Sequence, residues 1–442
     1  MKVNFKKGTG QKLWQKAKKL IPGGNQLLSK RPEMFLPDQW PAYYSRAKGV
    51  YVWDLDGHKY LDMSIMGIGN CLLGYGDGDV DRAVKKAVEI GVMATLNAPE
   101  EVELAELLLK LHPWAEMVRY ARTGGEAMAM AVRIARAATG RDTIVFCGYH
   151  GWSDWYLSAN LADDKTLDGH LLPGLEPRGV PRGLTGTLIP FHFNDVMELK
   201  VAVAKAGKDL AAIVLEPMKG KPPTPEFIHS VRLWADTTGA VLIADEITAG
   251  FKFAKGGSHL ASGLVPDIAV FSKAMANGYA MAAVIGRKKV MQAAQSTFIS
   301  STNWTERIGP VAALATIKKL IKVDTAGKLA RTGKSVKQVW EAASKKHGVP
   351  ITIGGSDPIA SFSFDGSDGQ ALKTLFVQEM LAQGILASNL FFATLAHTDT
   401  HVRQYAKAVD RAFAILKEAI DSETVKKRLN GPIAHTGFAR LN

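Results

Sequence analysis

The segment PDIAVFSKAMANG (residues 266–278) joins an apolar run of strand character to a lysine, Lys273, that is followed by small residues. A lysine at such a place either snorkels to solvent or is positioned to react. Four other runs share the character of this one: DTIVFCGYHG (142–151), LAAIVLEP (210–217), GAVLIADE (239–246) and MAAVIGR (281–287). Continuous apolar strands of this kind are buried on both faces. Helix-like segments lie between several of them, among them EFIHSVRLWADTTG (226–239), where Gly239 supplies a C-terminal stop. The fold class expected is α/β: a mostly parallel sheet covered by helices, in a large domain beside a smaller α+β domain.

Upstream, GVYVWDLDGHKYLDMS (49–64) alternates around the turn signal Asp56-Gly57, as an antiparallel hairpin does. Past residue 320, Lys- and Ala-rich helical stretches surround PIASFSFDG (358–366). The domains expected are therefore 1–73 (a helix and antiparallel strands, part of the small domain), 74–320 (the large domain) and 321–442 (the rest of the small domain).

With 442 residues, 47% of them hydrophobic, the chain can bury more than one core. No apolar stretch reaches the roughly 18 residues of a membrane span, and the N-terminal segment has no signal-peptide core. A soluble, cytoplasmic protein with no membrane partner is expected. Two cysteines, Cys71 and Cys147, make neither a disulfide framework nor a C-x-x-C metal site, and no metal is expected. The formal charge of +13 raises nucleic acid as a partner, but the lysines are dispersed and no RNP or zinc-finger pattern occurs. The densest group, Lys12, Lys16, Lys18 and Lys19, reads as the solvated face of a helix whose apolar side is Leu13, Trp14, Ala17, Leu20 and Ile21. No nucleic-acid partner is expected; a basic surface suits a small phosphorylated or carboxylated substrate.

In open α/β sheets ligands sit at the carboxyl ends of strands, and four strands here end in polar residues: Tyr149-His150, Glu216, Asp245-Glu246 and Lys273. A buried carboxylate at Asp245 needs a positive partner. An amine at Lys273 attacks only when neutral, and from a reference pKa of about 10.4 that asks roughly 4 kcal/mol of its surroundings. An aldehyde cofactor meets the demand differently, by capturing the amine as a Schiff base. In RTGGEAMAMAVRIARAATG (122–140), Thr123, Gly124 and Gly125 precede a helical run whose first N–H groups suit a phosphate. Thr123 and Glu126 equally make a T-x-x-E capping box that needs no ligand. Neither G-x-G-x-x-G nor a P-loop is present. A phosphate cup, an aromatic residue, an aspartate and a lysine in this chain order match the needs of pyridoxal 5′-phosphate.

With these residues in place the sequence resembles the class III, fold-type I aminotransferases, most closely those like glutamate-1-semialdehyde 2,1-aminomutase. The resemblance covers most of the chain, through IPGG (21–24), VWDLDGHKYLD (52–62), TGGEA (123–127), YHG (149–151), LEPMKG (215–220), GAVLIADEITAGFKFAKGG (239–257), PDIAVFSKAMANG and LAHT (395–398). It implies that Lys273 forms the internal aldimine and moves the proton, that Asp245 pairs with the pyridine nitrogen, and that Ile247 and Tyr149 flank the ring. Thr123, Gly124 and Gly125 would hold the phosphate, Gly125 lacking the usual threonine hydroxyl. Glu216 would be a hydrogen-bond partner near the cofactor and His150 a locally satisfied residue. Thr302, or else Thr305, would reach the partner subunit's phosphate, which implies a homodimer with shared sites. Arg31, in competition with Lys30, would bind a substrate carboxylate. Lys221 stands where many relatives carry a glutamate switch, and Trp152 is a candidate for the substrate channel.

The resemblance implies amino-group transfer from an amino acid donor to a carbonyl acceptor, both anionic in character. The alternative is an intramolecular aminomutase, disfavoured by KGKPPTPEF (219–227), LGYGDGD (73–79) and STNWTERIGP (301–310), which depart from the aminomutase pattern. From another class, a scaffold that has lost its chemistry or binds polyanions would have no need of Lys273, Asp245 and the phosphate loop together.

Overall fold

A computed structural model describes residues 8–170, 173–438 and 441. The chain forms two compact units, Gly78–Ala326, and Met1–Asp77 together with Gly327–Asn442.

The unit made from both chain ends opens with the helix Thr9–Leu20. Its buried face is narrower than the sequence pattern suggests: Gly10, Gln11, Trp14 and Ala17 are covered, while Leu13 and Leu20 stay exposed. The indole of Trp14 donates to Glu33 Oε1 at 2.9 Å, so this ring sets which face turns inward. Strands β1 (Tyr44–Lys48), β2 (Tyr51–Asp54) and β3 (Lys59–Met63) follow, antiparallel in sequence. The β2–β3 turn forms as its residues dictate: Asp54 Oδ1 accepts the N–H groups of Asp56 and His58 at 3.0 and 2.8 Å, and Gly57 takes φ +84°.

The second unit holds β4 (Met117–Ala121), β5 (Thr143–Cys147), β6 (Leu188–Pro190), β7 (Leu210–Leu215), β8 (Val241–Asp245), β9 (Ile268–Phe271) and β10 (Ala282–Gly286). They form one sheet in the order β4-β10-β9-β8-β7-β5-β6. Only β10 runs antiparallel to its neighbours. Every residue of β5, β7, β8, β9 and β10 is buried, as continuous apolar strands between two layers must be. On one side the helix Gly124–Thr139 lays Ala127, Met128, Ala131, Ile134 and Ala135 into a core with Phe146, Ile243, Val270 and Val284. Each large side chain buried there contributes roughly 1.5–3 kcal/mol. The helix Pro225–Thr238 ends at Gly239 in the left-handed conformation, φ +68°.

The remainder of the first unit adds β11 (Ile351–Ser356), β12 (Ile359–Phe364), β13 (Ile385–Ala387) and β14 (Leu390–Phe392). β13 pairs parallel with β3, so the C-terminal part completes the N-terminal sheet, while β11, β12 and β14 form an antiparallel sheet. The unit boundaries fall after Asp77 and Ala326, where the sequence reading set 73 and 320.

Candidate active site

Parallel pairing decides which side chains meet. Cys147 lies opposite Leu215, Leu215 opposite Ala244, and Asp245 opposite Val270. The carboxyl ends of β5, β7, β8 and β9 are thus level, and deliver Tyr149 and His150, Glu216, Asp245 and Lys273 to one edge of the sheet.

Asp245 is 3% exposed, and both its oxygens are engaged by the protein. Oδ1 accepts the N–H of Ile247 at 3.0 Å, and Oδ2 lies 2.8 Å from His150 Nδ1. The other ring nitrogen, Nε2, is 3.1 Å from the carbonyl oxygen of Cys147. Both His150 nitrogens therefore face oxygen atoms. From the sequence His150 reads as satisfied locally; the Cys147 contact is local, and a second partner, Asp245, lies at the end of a different strand.

Lys273 opens a short 3₁₀ turn, Lys273–Ala276, with φ +45°, a strained value for a residue with a Cβ. Its amine donates to Thr248 Oγ1 at 2.9 Å instead of reaching for water. Burial lowers its pKa below that of a free lysine, while Asp245 and Glu216 work in the opposite direction. A second lysine, Lys252, is wholly buried and donates to the carbonyl oxygen of the same Thr248 at 2.6 Å. Burial, aided by the charge of Lys273, brings Lys252 down to about 7. Sequence reading passed over Thr248 and Lys252. Their i, i+4 spacing after Asp245 was the available signal, legible only once the chain there is known to form a turn.

At Thr123–Gly125 the capping box is built. Glu126 Oε2 accepts the Thr123 N–H at 2.9 Å and the Thr123 hydroxyl at 3.0 Å, and the Glu126 N–H donates back to Thr123 Oγ1 at 3.4 Å. The Gly124 and Gly125 N–H groups remain, at the first helical positions, where no intrahelical acceptor exists. Ile247 covers Gly124 so closely that a Cβ there would sit 2.8 Å from Ile247 Cδ1. Trp152 stands edge-on to Gly125.

Glu216 Oε2 accepts the Tyr149 N–H at 3.2 Å, and burial together with Asp245 raises its pKa. Gly148, at φ +112°, is needed beneath it, since a Cβ would lie 2.5 Å from Glu216 Oε2. Tyr149 is 39% exposed. The neighbouring acid Glu246 serves the fold: it accepts from the Ser258 N–H and hydroxyl and from the His259 N–H and Nδ1 at 2.6–3.0 Å. Trp114 donates to His259 Nε2 at 3.2 Å, which fixes the proton on Nδ1.

Thr302 and Thr305 lie exposed on a single 3₁₀ turn, Thr302–Thr305, with the Thr305 hydroxyl donating to the Thr302 carbonyl oxygen at 2.9 Å. Lys221 is exposed on the loop after β7, bridged to Lys219. Lys30 and Arg31 belong to the other unit; Lys30 is exposed, and the Arg31 guanidinium packs over Gly23.

Residues 37–420 match the family described as aminotransferase class III. The 3-aminobutyryl-CoA aminotransferase of Cloacimonas acidaminovorans is 29% identical over 434 residues, covering 95% of this chain and 100% of that protein. Glutamate-1-semialdehyde 2,1-aminomutase of Nitratidesulfovibrio vulgaris is 33% identical over 410 residues, covering 88% and 95%. Among solved structures, the FumI protein of Sphingopyxis sp. MTA144, in its PLP internal aldimine form, superposes with a TM-score of 0.84 at 27% identity, covering 94% of this chain and 98% of that one. With nearly the whole chain matched, it belongs to the class III aminotransferases.

Proposed function

We propose that the edge formed by β5, β7, β8 and β9 holds pyridoxal 5′-phosphate through Lys273, Asp245 and the Thr123–Gly125 turn, in an enzyme that moves an amino group from an amino acid to a carbonyl acceptor. The donor set fits the group. Lys273 offers an amine, Asp245 retains lone pairs for a protonated ring nitrogen beyond its two existing bonds, and Gly124 and Gly125 offer unused N–H groups to an anion. When bound, pyridoxal 5′-phosphate supplies an aldehyde that takes up amines and a ring that spreads the charge left by a departing proton.

The protein's own residues do the rest. Lys273 Nζ would hold the cofactor through its aldehyde, and the amine, held by Thr248 Oγ1, would be the group that moves the substrate's α proton. Its lowered pKa favours the neutral amine that this task needs. Asp245 would face the protonated ring nitrogen, and His150 fixes the position of its Oδ2. Tyr149 and Ile247 would flank the ring, and Glu216 steadies the Tyr149 backbone. The 2.9 Å bond of Lys273 to Thr248, together with the Asp245–His150 pair at the ends of β8 and β5, is the observation that carries this reading.

The finer assignments belong to the same proposal. The exposed Thr302, or Thr305, reaches the phosphate of a partner subunit, making a homodimer with shared sites. Arg31, in preference to Lys30, pairs with a substrate carboxylate because its fork offers two contacts, and Lys221 adds positive charge, so donor and acceptor are anionic. Residues 74–320 form the cofactor-binding domain. The compartment in this reading is the cytoplasm; no helix among the described residues is long and apolar enough to cross a membrane.

The test follows the visible spectrum of the reconstituted protein while single donors are added without acceptor: glutamate, alanine, a diamine and a 4,5-diamino acid. Conversion by glutamate or alanine identifies a transaminase and its donor. Conversion by the 4,5-diamino acid alone favours the aminomutase reading, which the 33% identity to such an enzyme supports.

A further inference from the structure

We propose that Trp152 is a phosphate-anchoring residue: its indole N–H completes the cradle begun by the Gly124 and Gly125 N–H groups. This rests on the assignment of that turn to the cofactor's phosphate.

The geometry starts from two glycines. Gly151, at φ +103°, brings its chain so near the helix start that a Cβ on it would lie 3.1 Å from Gly125 Cα. The next residue, Trp152, then meets Gly125 from the side. Of the whole indole, only Cδ1 and Nε1 come within 4 Å of the Cβ that Gly125 lacks, each at 3.1 Å. A ring lying face-on would bring its other five-ring atoms as close. The edge that carries the N–H is therefore the edge turned toward the helix N-terminus. Gly125 and Trp152 form a matched pair, because any side chain at 125 would crowd that edge.

Trp152 is 71% exposed, and its N–H has no acceptor among the described residues. Packing does not account for a ring left so open, and an indole nitrogen can only donate. It stands beside two further unused donors at the positive end of the helix dipole. Three N–H groups gathered at one place suit a multiply charged oxyanion, to which each bond is charge-assisted. The sequence reading set Trp152 at a substrate channel; its edge-on approach to Gly125 points instead to the phosphate.

The experiment compares full-length wild-type apoprotein with Trp152→Phe, which keeps an aromatic ring, though a smaller one, and removes the N–H. Dissociation constants for pyridoxal 5′-phosphate and for pyridoxal, which has no phosphate, are read from visible-absorption titrations. The expected result is pyridoxal 5′-phosphate bound roughly 10- to 100-fold more weakly by the variant, with pyridoxal unaffected. A second pair guards against a packing artefact: Trp152→Ala/Gly125→Thr, which clears the ring and offers a hydroxyl in its place, binds the phosphorylated cofactor more tightly than Trp152→Ala. Unchanged affinity in Trp152→Phe, or equal losses for both ligands, overturns the role of the N–H while leaving the cofactor site standing. Failure of the wild type itself to develop a visible band overturns the site, and this role with it.

Discussion

His150 Nδ1 lies 2.8 Å from Asp245 Oδ2, while Nε2 of the same ring lies 3.1 Å from the Cys147 carbonyl oxygen. The ring thus ties the end of β8 to the end of β5. Replacing it with an apolar ring, His150→Phe, leaves Asp245 buried with its backbone bond alone. Loss of a hydrogen bond to a charged group predicts a fall in kcat of roughly 10- to 100-fold. Steady-state rates with cofactor bound, checked by absorption, measure it.

Thr248 is the side-chain partner of the Lys273 amine. Thr248→Val keeps the shape and removes the acceptor, leaving the amine free to rotate. A neutral hydrogen bond of about 1 kcal/mol corresponds to roughly fivefold in rate. Single-turnover kinetics with excess donor should show that loss in the proton-transfer step, with little change in cofactor affinity.

Gly124 is a position where space, not backbone freedom, requires glycine. A Cβ would stand 2.8 Å from Ile247 Cδ1, so Gly124→Ala pushes Ile247 from its place over the turn, at a cost of about 1–3 kcal/mol typical of overpacking. Thermal unfolding of the apoprotein and cofactor titration should both register it, and Gly124→Ala/Ile247→Val should recover most of the loss.

Glu246 predicts a pH dependence of stability. Burial alone would raise its pKa, but the bonds from His259 and Ser258 hold it below the ordinary carboxylate value. A carboxylate depressed in the folded state contributes stability that is fully present above the unfolded pKa of about 4.3 and is lost as pH falls through the lower folded value. Glu246→Gln breaks this buried network and should destabilise the protein by roughly 3 kcal/mol at pH 7. Denaturant midpoints should show the gap between variant and wild type narrowing below about pH 4.

Much of this site could be read in the sequence because buried parallel strands announce themselves. β5, β7, β8, β9 and β10 are apolar at nearly every position, and the polar residues that end them have nowhere to go but the edge where ligands bind. β4 and β6 escape such reading: β4 is MVRYA, an edge strand with partly exposed residues, and β6 has only three residues. Side-chain pairings across the fold were illegible for a different reason. The bond between His150 and Asp245 spans 95 residues, and periodicity carries no information about which strand ends lie side by side. The two readings of Thr123–Gly125 prove compatible, since the capping box uses Thr123 and Glu126 and leaves the glycine N–H groups unused. The N-terminal helix shows the limit of pattern: Leu13 and Leu20 fit an apolar stripe, yet the partner of Trp14 turned a different face inward.

The central claim is that Lys273 carries the cofactor, and its most direct test is chemical. The protein reconstituted with pyridoxal 5′-phosphate is reduced with borohydride, digested, and mapped by mass spectrometry. The phosphopyridoxyl group is expected on Lys273, with no label and no visible band in Lys273→Ala. A label on Lys252, the other buried amine bonded to Thr248, or a visible band that persists in Lys273→Ala, would contradict it.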